Sequence, residues 1–177
     1  MENPKKKSKI KLLLGVLFII VVIGAIASQG EKDTPKLVDN NVIEDKTEFN
    51  VGETVELNNV YATLVSVTKS QGGDFNTPAD GNEFVLCEFM IENNTEKDLA
   101  ISSMLSFDAY CDDLSISQSI SGLIAANGKQ QLDGTIAAGK KMNGVIAYEL
   151  SKDWKQLEIN FTPDVWSSKD ITFIANN

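Results

Sequence analysis

Apolar and polar residues follow two different regimes along this chain. Leu12–Ala27 is an apolar run of 16 residues without a charge. Beyond about residue 50, apolar residues alternate with polar ones in short stretches broken by Gly, Pro, Asn and Asp, the pattern of half-buried strands. Val55 and Leu57 alternate and stop at Asn58-Asn59, a turn pair. Tyr61, Thr63, Val65 and Val67 form the next alternating set, all β-formers. Residues 71–82, "QGGDFNTPADGN", read as a long loop. In the strand that follows, Val85, Cys87, Phe89 and Ile91 share one face and Leu86, Glu88, Met90 and Glu92 the other, up to Asn93-Asn94.

Leu105, Phe107, Ala109 and Cys111 alternate into an Asp112-Asp113 turn, with Leu114 and Ile116 leading away as a hairpin. "SQSISGLIAANGK" fits a helical turn or a loop. "QLDGTIAAGKKMNGVIAYELS" predicts two strands about Ala138-Gly139-Lys140. Leu157, Ile159 and Phe161 alternate until Pro163, and "DITFIAN" closes the chain. No long segment repeats every 3.6 residues. About eight short strands with turn residues between them predict an antiparallel β-sandwich, with a closed barrel as the alternative.

The apolar run changes where such a domain would sit. Residues 5–11 hold five lysines, and the run follows directly. A helix of that length is about 24 Å long, somewhat short of a bilayer core of about 30 Å. Counting Ile10 to Ser28, with Lys11 snorkelling, closes most of the gap. Ala25-Ile26-Ala27 before Ser28 resembles a signal-peptidase site. The lack of a polar segment before it favours a retained anchor over cleavage after Ala27. In either case the lysines stay in the cytoplasm and the rest goes outside. The predicted order is a cytoplasmic basic segment (1–11), a transmembrane anchor or signal core (12–27), a flexible linker (28–48) and an extracellular domain (49–177). That places the chain at the cell membrane, single pass, or, if cleaved, in the secreted fraction.

Charge and composition narrow the chemistry. All 16 basic residues are lysine, and beyond residue 27 only 11 lysines stand against 24 carboxylates. So acidic a domain repels phosphate backbones, which argues against nucleic acid as a partner. The chain has no histidine, which removes His-activated nucleophiles and imidazole metal ligands. Neither cysteine follows the apolar run, so no lipid-attachment cysteine is available.

By order and spacing, "VGETVELNNVYATLVSV", "GNEFVLCEFMIENNTEKDLAISSMLSFDAYCDD", "LDGTIAAGKKMNGVIAYEL" and "WKQLEINFTPDVWSSKDITF" resemble a bacterial extracellular domain-of-unknown-function family. Its members are similar to a mycobacterial immunoprotective extracellular antigen. The elements that carry the resemblance are Gly81–Val85, Asn93 at a strand end, and the glycine turn and strand of "AAGKKMNGVIAYEL", with Ala138 where proline is common. It covers about residues 48–177 and implies an immunoglobulin-like sandwich with no catalytic residues.

Each candidate site has a plain structural competitor. Cys87 and Cys111 fall on the apolar faces of their strands and can form a disulfide outside the cell, or pack as two small core residues. As catalytic thiols they lack a base. Asp112-Asp113 with Asp108, or Asp74 and Asp80, could ligate calcium, but they match no calcium-loop spacing and read better as turn residues. Glu88, Glu92, Glu149 and Glu158 could pair as acid and base on a polysaccharide, although a solvated sheet face explains them. Trp154, Trp166 and Phe75 could form an aromatic contact surface, or plug the ends of the sandwich. Asn93-Asn94-Thr95 matches a glycosylation sequon, which the resemblance to a bacterial family discounts.

The reading is a non-catalytic binding module of a bacterial envelope. It has no cofactor and no metal, and its partners would be the membrane, through the N-terminal helix, and an envelope, wall or host protein. A carboxylate-dependent envelope enzyme and a small-ligand or metal-binding envelope protein are the alternatives.

Overall fold

The structure is a computed structural model that describes residues 34–38, 46–74, 76–164 and 169–177. The chain divides into two compact units, 1–32 and 33–177. The predicted N-terminal helix lies in the first, outside the described residues. Among the described residues no helix is long and apolar enough to cross a membrane.

Twelve strands and one short helix make up the described domain, where about eight strands were predicted. The strands are β1 (Lys36–Leu37), β2 (Glu48–Asn50), β3 (Thr54–Leu57), β4 (Val60–Ser70), β5 (Asn82–Asn93) and β6 (Leu99–Ile101). After them come β7 (Phe107–Cys111), β8 (Leu114–Ile116), helix α1 (Ile120–Ala125), β9 (Gly134–Ile136), β10 (Lys140–Ser151), β11 (Gln156–Phe161) and β12 (Ile171–Asn176). The short strands β1, β2 and β6, of two or three residues each, are too short to show an alternation in sequence and match none of the predicted strands. One of them, β1, falls within the stretch expected to be a spacer and pairs with β3.

Two five-stranded sheets, ordered β1-β3-β4-β5-β10 and β2-β12-β11-β7-β8, face each other; a third sheet pairs only β6 with β9. The pairing is antiparallel except between β12 and β2. The sandwich prediction therefore holds, and the closed barrel does not. Both sheets feed one core. Phe89 of β5 meets Phe107 at 5.2 Å and Phe173 at 5.7 Å across the gap, and Phe107 stacks on Phe161 at 4.8 Å. Offset and edge contacts of this kind suit aromatic quadrupoles.

One part of the sequence pattern is corrected. In β4 the buried set is Val60, Ala62 and Leu64, not Tyr61, Thr63 and Val65; Val65 is exposed. The register shifts between Leu64 and Ser66, and this bulge turns Val67 back toward the core. The two strands predicted about Ala138–Lys140 are β9 and β10, which join different sheets. Gly139 supplies the positive φ of that turn (+71°), and β9 leaves it to join β6.

The ambiguous stretch 117–129 contains α1. Ser119 caps it by accepting from Gly122 N at 3.0 Å. Past its end, Asn127 and Gly128 take positive φ, which stops the helix. Its inner side packs Leu123, Ala125 and Ala126 on Phe84, Leu86, Val145 and Ala147. The outer face of β5 and β10 is therefore apolar where strict alternation predicts a solvated one. The flanking chain also hydrogen-bonds the free side of β10: Ser119 N donates to Ala147 O at 2.7 Å and Val145 N to Gln130 O at 2.8 Å.

Candidate functional site

One end of the sandwich opens into a cleft of about 750 Å³ lined by the β3–β4 turn, the β5–β6 loop and the β11–β12 loop. Its geometry follows from a few residues. Asn58 and Asn59 both take positive φ (54° and 65°), which asparagine tolerates, so β3 reverses in two residues. Glu56 accepts from Asn59 N at 2.7 Å and fixes the turn. Asn94 N donates to Asn59 O at 2.9 Å and ties the turn to the next loop.

That loop is shaped by Asn93, which is fully buried. Its Nδ2 donates to Lys97 O at 2.7 Å and Ile136 O at 2.8 Å, and its Oδ1 accepts from Thr95 N at 3.1 Å and Thr95 Oγ1 at 2.7 Å. The side chain behaves as a piece of backbone around which residues 94–98 fold. The same contacts close the sequon reading, since the acceptor amide is buried and fully bonded. The cleft floor is apolar (Leu57, Val60, Leu99). Its walls carry amides and both signs of charge: Glu96, Lys97, Asp98, Asp164 and Lys169. Such a lining can hydrogen-bond a polar partner but offers no concentrated field.

The carboxylates proposed as acid and base are scattered and already engaged. Glu88 pairs with Lys129, and Glu92 with Lys141 at 2.7 Å. Glu149 accepts from Ala79 N and Asn82 Nδ2, and Glu158 from Asn160 Nδ2. The Lys129 hydrogen bond holds Glu88 below the usual carboxylate value. Asp112 accepts from the backbone N–H groups of Lys155 and Gln156, and both it and Asp113 sit at positive φ in the β7–β8 turn. Among the described residues no three carboxylates or thiols gather as ligands for an ion.

Cys87 and Cys111 are free thiols, carried on β5 and β7 and so on opposite sheets. Burial pushes the Cys87 thiol far up, and burial with the nearby Asp112 charge raises Cys111. Neither is poised as a nucleophile.

Trp154 does not belong to a contact surface. It is 3% exposed, and its Nε1 donates to buried Glu83 at 3.1 Å. It plugs the end of the sandwich away from the cleft. Phe75 and Trp166 lie outside the described residues. The most exposed large apolar side chains among the described residues are instead Met104 and Leu105 in the loop before β7, Leu114 on β8, and Ile120 and Ile124 on α1, each at least two-thirds exposed. Strand alternation had placed Leu105 and Leu114 in a hairpin set, and nothing in the sequence marked the five as a group.

A family model described as "Domain of unknown function (DUF4352)" matches residues 49–171. No curated protein matches the chain. Among solved structures, ycdA, a candidate lipoprotein from Bacillus subtilis, is similar at 19% identity and a TM-score of 0.57. The alignment covers 82% of this chain and 39% of that one, so this chain spans about two-fifths of its length. The yjhA protein of Bacillus subtilis is similar at 21% identity and a TM-score of 0.56, over 72% of this chain and 98% of that one. A β-sandwich protein from Clostridium difficile aligns at 13% identity and a TM-score of 0.48, over 77% of this chain and 100% of that one.

Proposed function

The chain belongs to the family described as a domain of unknown function, DUF4352, and from that premise we propose that it is a non-catalytic contact module of a bacterial envelope. In this reading residues 12–27 hold the module at the membrane, the sandwich is immunoglobulin-like and stands outside the cell, and the cleft is its contact surface. The observation that carries the reading is the cleft itself, built by the buried Asn93 and walled by three loops with amides and both signs of charge. Loops on a rigid sandwich are where binding residues concentrate. The engaged state of Glu88, Glu92, Glu149 and Glu158 supports contact over hydrolysis, because no two of them share a partner or a site. The candidate lipoprotein among the structural neighbours supports an envelope location. The likeness to the mycobacterial antigen belongs to the same proposal and rests on Gly81–Val85, Asn93 and residues 137–150 alone.

Proximity labelling on intact cells tests it. The full chain should label a reproducible set of envelope, wall or host proteins, and Lys97→Glu with Asp98→Lys should lose that set without changing the melting temperature by more than a few degrees. An unchanged set in the double variant removes the cleft from the proposal. Protease added to protoplasts should cut the domain and spare the lysine-rich end; survival of the domain, while a control surface protein is cut, overturns the orientation.

A further inference from the structure

Four side chains that the cleft does not use converge at the other end of the sandwich. Lys69 stands near the end of β4, Glu83 near the start of β5, Trp154 in the β10–β11 turn and Asn177 just past β12. Lys69 Nζ donates to the side-chain oxygen of Asn177. The same nitrogen lies 3.3 Å from Glu83 Oε1 and 5.5 Å from the centre of the Trp154 ring. Glu83 is 6% exposed, and its Oε1 also accepts from Trp154 Nε1 at 3.1 Å.

The Asn177 amide is held in one orientation. Its Nδ2 donates to Lys152 O at 3.1 Å and Trp154 O at 2.6 Å, and its backbone N donates to Lys155 O at 3.0 Å. A surface ion pair accounts for the lysine and the glutamate alone. It leaves unexplained why the carboxyl is buried and why the amine rests on an immobilised carboxamide. An amine, a carboxamide and a proton carrier fixed side by side are the reactants of an amide exchange, and fixing them replaces the encounter that makes this reaction slow in water.

We propose that Lys69 and Asn177 become joined by an intramolecular isopeptide bond, with Glu83 carrying the protons. Glu83 takes a proton from the Lys69 ammonium, and the freed amine attacks Cγ of Asn177. The Nζ–Cγ bond forms and the Cγ–Nδ2 bond breaks. Lys69 gives up two protons in all and keeps one as the new amide N–H. The departing Nδ2 collects both and leaves as ammonium through the solvent-facing side of Lys69. The exchange is redox-neutral and needs no co-reactant.

Peptide mapping of the folded full chain, purified from its membranes and cut with trypsin, tests this. An acylated Lys69 resists trypsin. The expected product is a branched peptide joining residues 47–97 to 170–177, lighter by one ammonia than the two peptides together. Glu83→Gln, checked for folding by circular dichroism, should return the two peptides unlinked and cut after Lys69. If wild-type protein itself yields peptides ending at Lys69 and a free 170–177, the bond is overturned and the four residues form a hydrogen-bonded clasp. A link that forms equally well in Glu83→Gln overturns the role given to Glu83.

Discussion

Replacing Asn93 with alanine removes the side chain that shapes the cleft, and the structure sets the size of the effect. Four hydrogen bonds go: two donated by Nδ2, to Lys97 O and Ile136 O, and two accepted by Oδ1, from Thr95 N and Oγ1. Residues 95 and 97 are near enough to solvent for water to replace much of what they lose, so those bonds are worth about 0.5 kcal/mol each. The Ile136 carbonyl lies in the interior and is left without that donor, at a cost of about 1–3 kcal/mol. The sum is roughly 3 kcal/mol, a large share of a typical stability of ~5–15 kcal/mol. For a domain of this size that corresponds to a melting temperature lower by about 10 °C in a calorimetric or circular dichroism scan.

Asn93→Asp separates shape from bonding. It keeps the acceptor but turns a carboxylate toward two carbonyls, and should cost at least as much. Limited trypsin digestion adds a local readout: cleavage after Lys97 should accelerate in both variants before the sandwich unfolds. A drop below about 3 °C for both substitutions would refute the argument that this one buried amide organises the loop.

Three further outcomes follow from other sites. Gly144→Ala puts a Cβ 2.9 Å from Leu132 Cα and 3.0 Å from Leu132 N, a clash with backbone, and should destabilise by about 1–3 kcal/mol in urea titration; an unchanged midpoint would show that Leu132 moves freely. In native protein a maleimide should label half-buried Cys111 slowly and Cys87 only after denaturation, read by mass spectrometry; equal rates would contradict the burial of Cys87. Lys129 holds Glu88 below its unfolded value of about 4.3, so that stability is present above this value and is lost as pH falls through the folded pKa. Lys129→Met should thus cost no more than about 1 kcal/mol at pH 7 and nothing at pH 2; an equal loss at both would assign the effect to packing.

β11 and the second half of β5 were legible in the sequence because there one face is buried and the other is not. Cys87, Phe89 and Ile91, and likewise Leu157, Ile159 and Phe161, are fully buried as alternation requires. The Asn58-Asn59 and Asp112-Asp113 turns were legible because only a few residue types accept positive φ. β4 misled, since its β-branched residues occur at both parities and a bulge switches between them. α1 was ambiguous because six residues give fewer than two turns of periodicity, and its cap, Ser119, is one serine among several.

The site was less legible than the fold. Asn93 stood out in the pattern only as a strand end, and its hold on Lys97 O and Ile136 O depends on β9, whose register no local signal sets. Trp154 looked like a turn aromatic. Its burial depends on Glu83, 71 residues away, which alternation alone cannot pair with it.

The chain around α1 also bears on how such domains coexist at high density. β10 is a twelve-residue edge strand, and residues 144–150, "GVIAYEL", have the β-propensity and low charge that drive strand addition between molecules. Ser119 and Gln130 occupy its backbone groups at Ala147 and Val145, and α1 roofs its outer face. The α1 segment therefore acts as a built-in aggregation guard. Cutting out residues 118–131 would leave a sandwich able to recruit its neighbours edge to edge into oligomers and fibrils, most of all where many copies are crowded onto one surface.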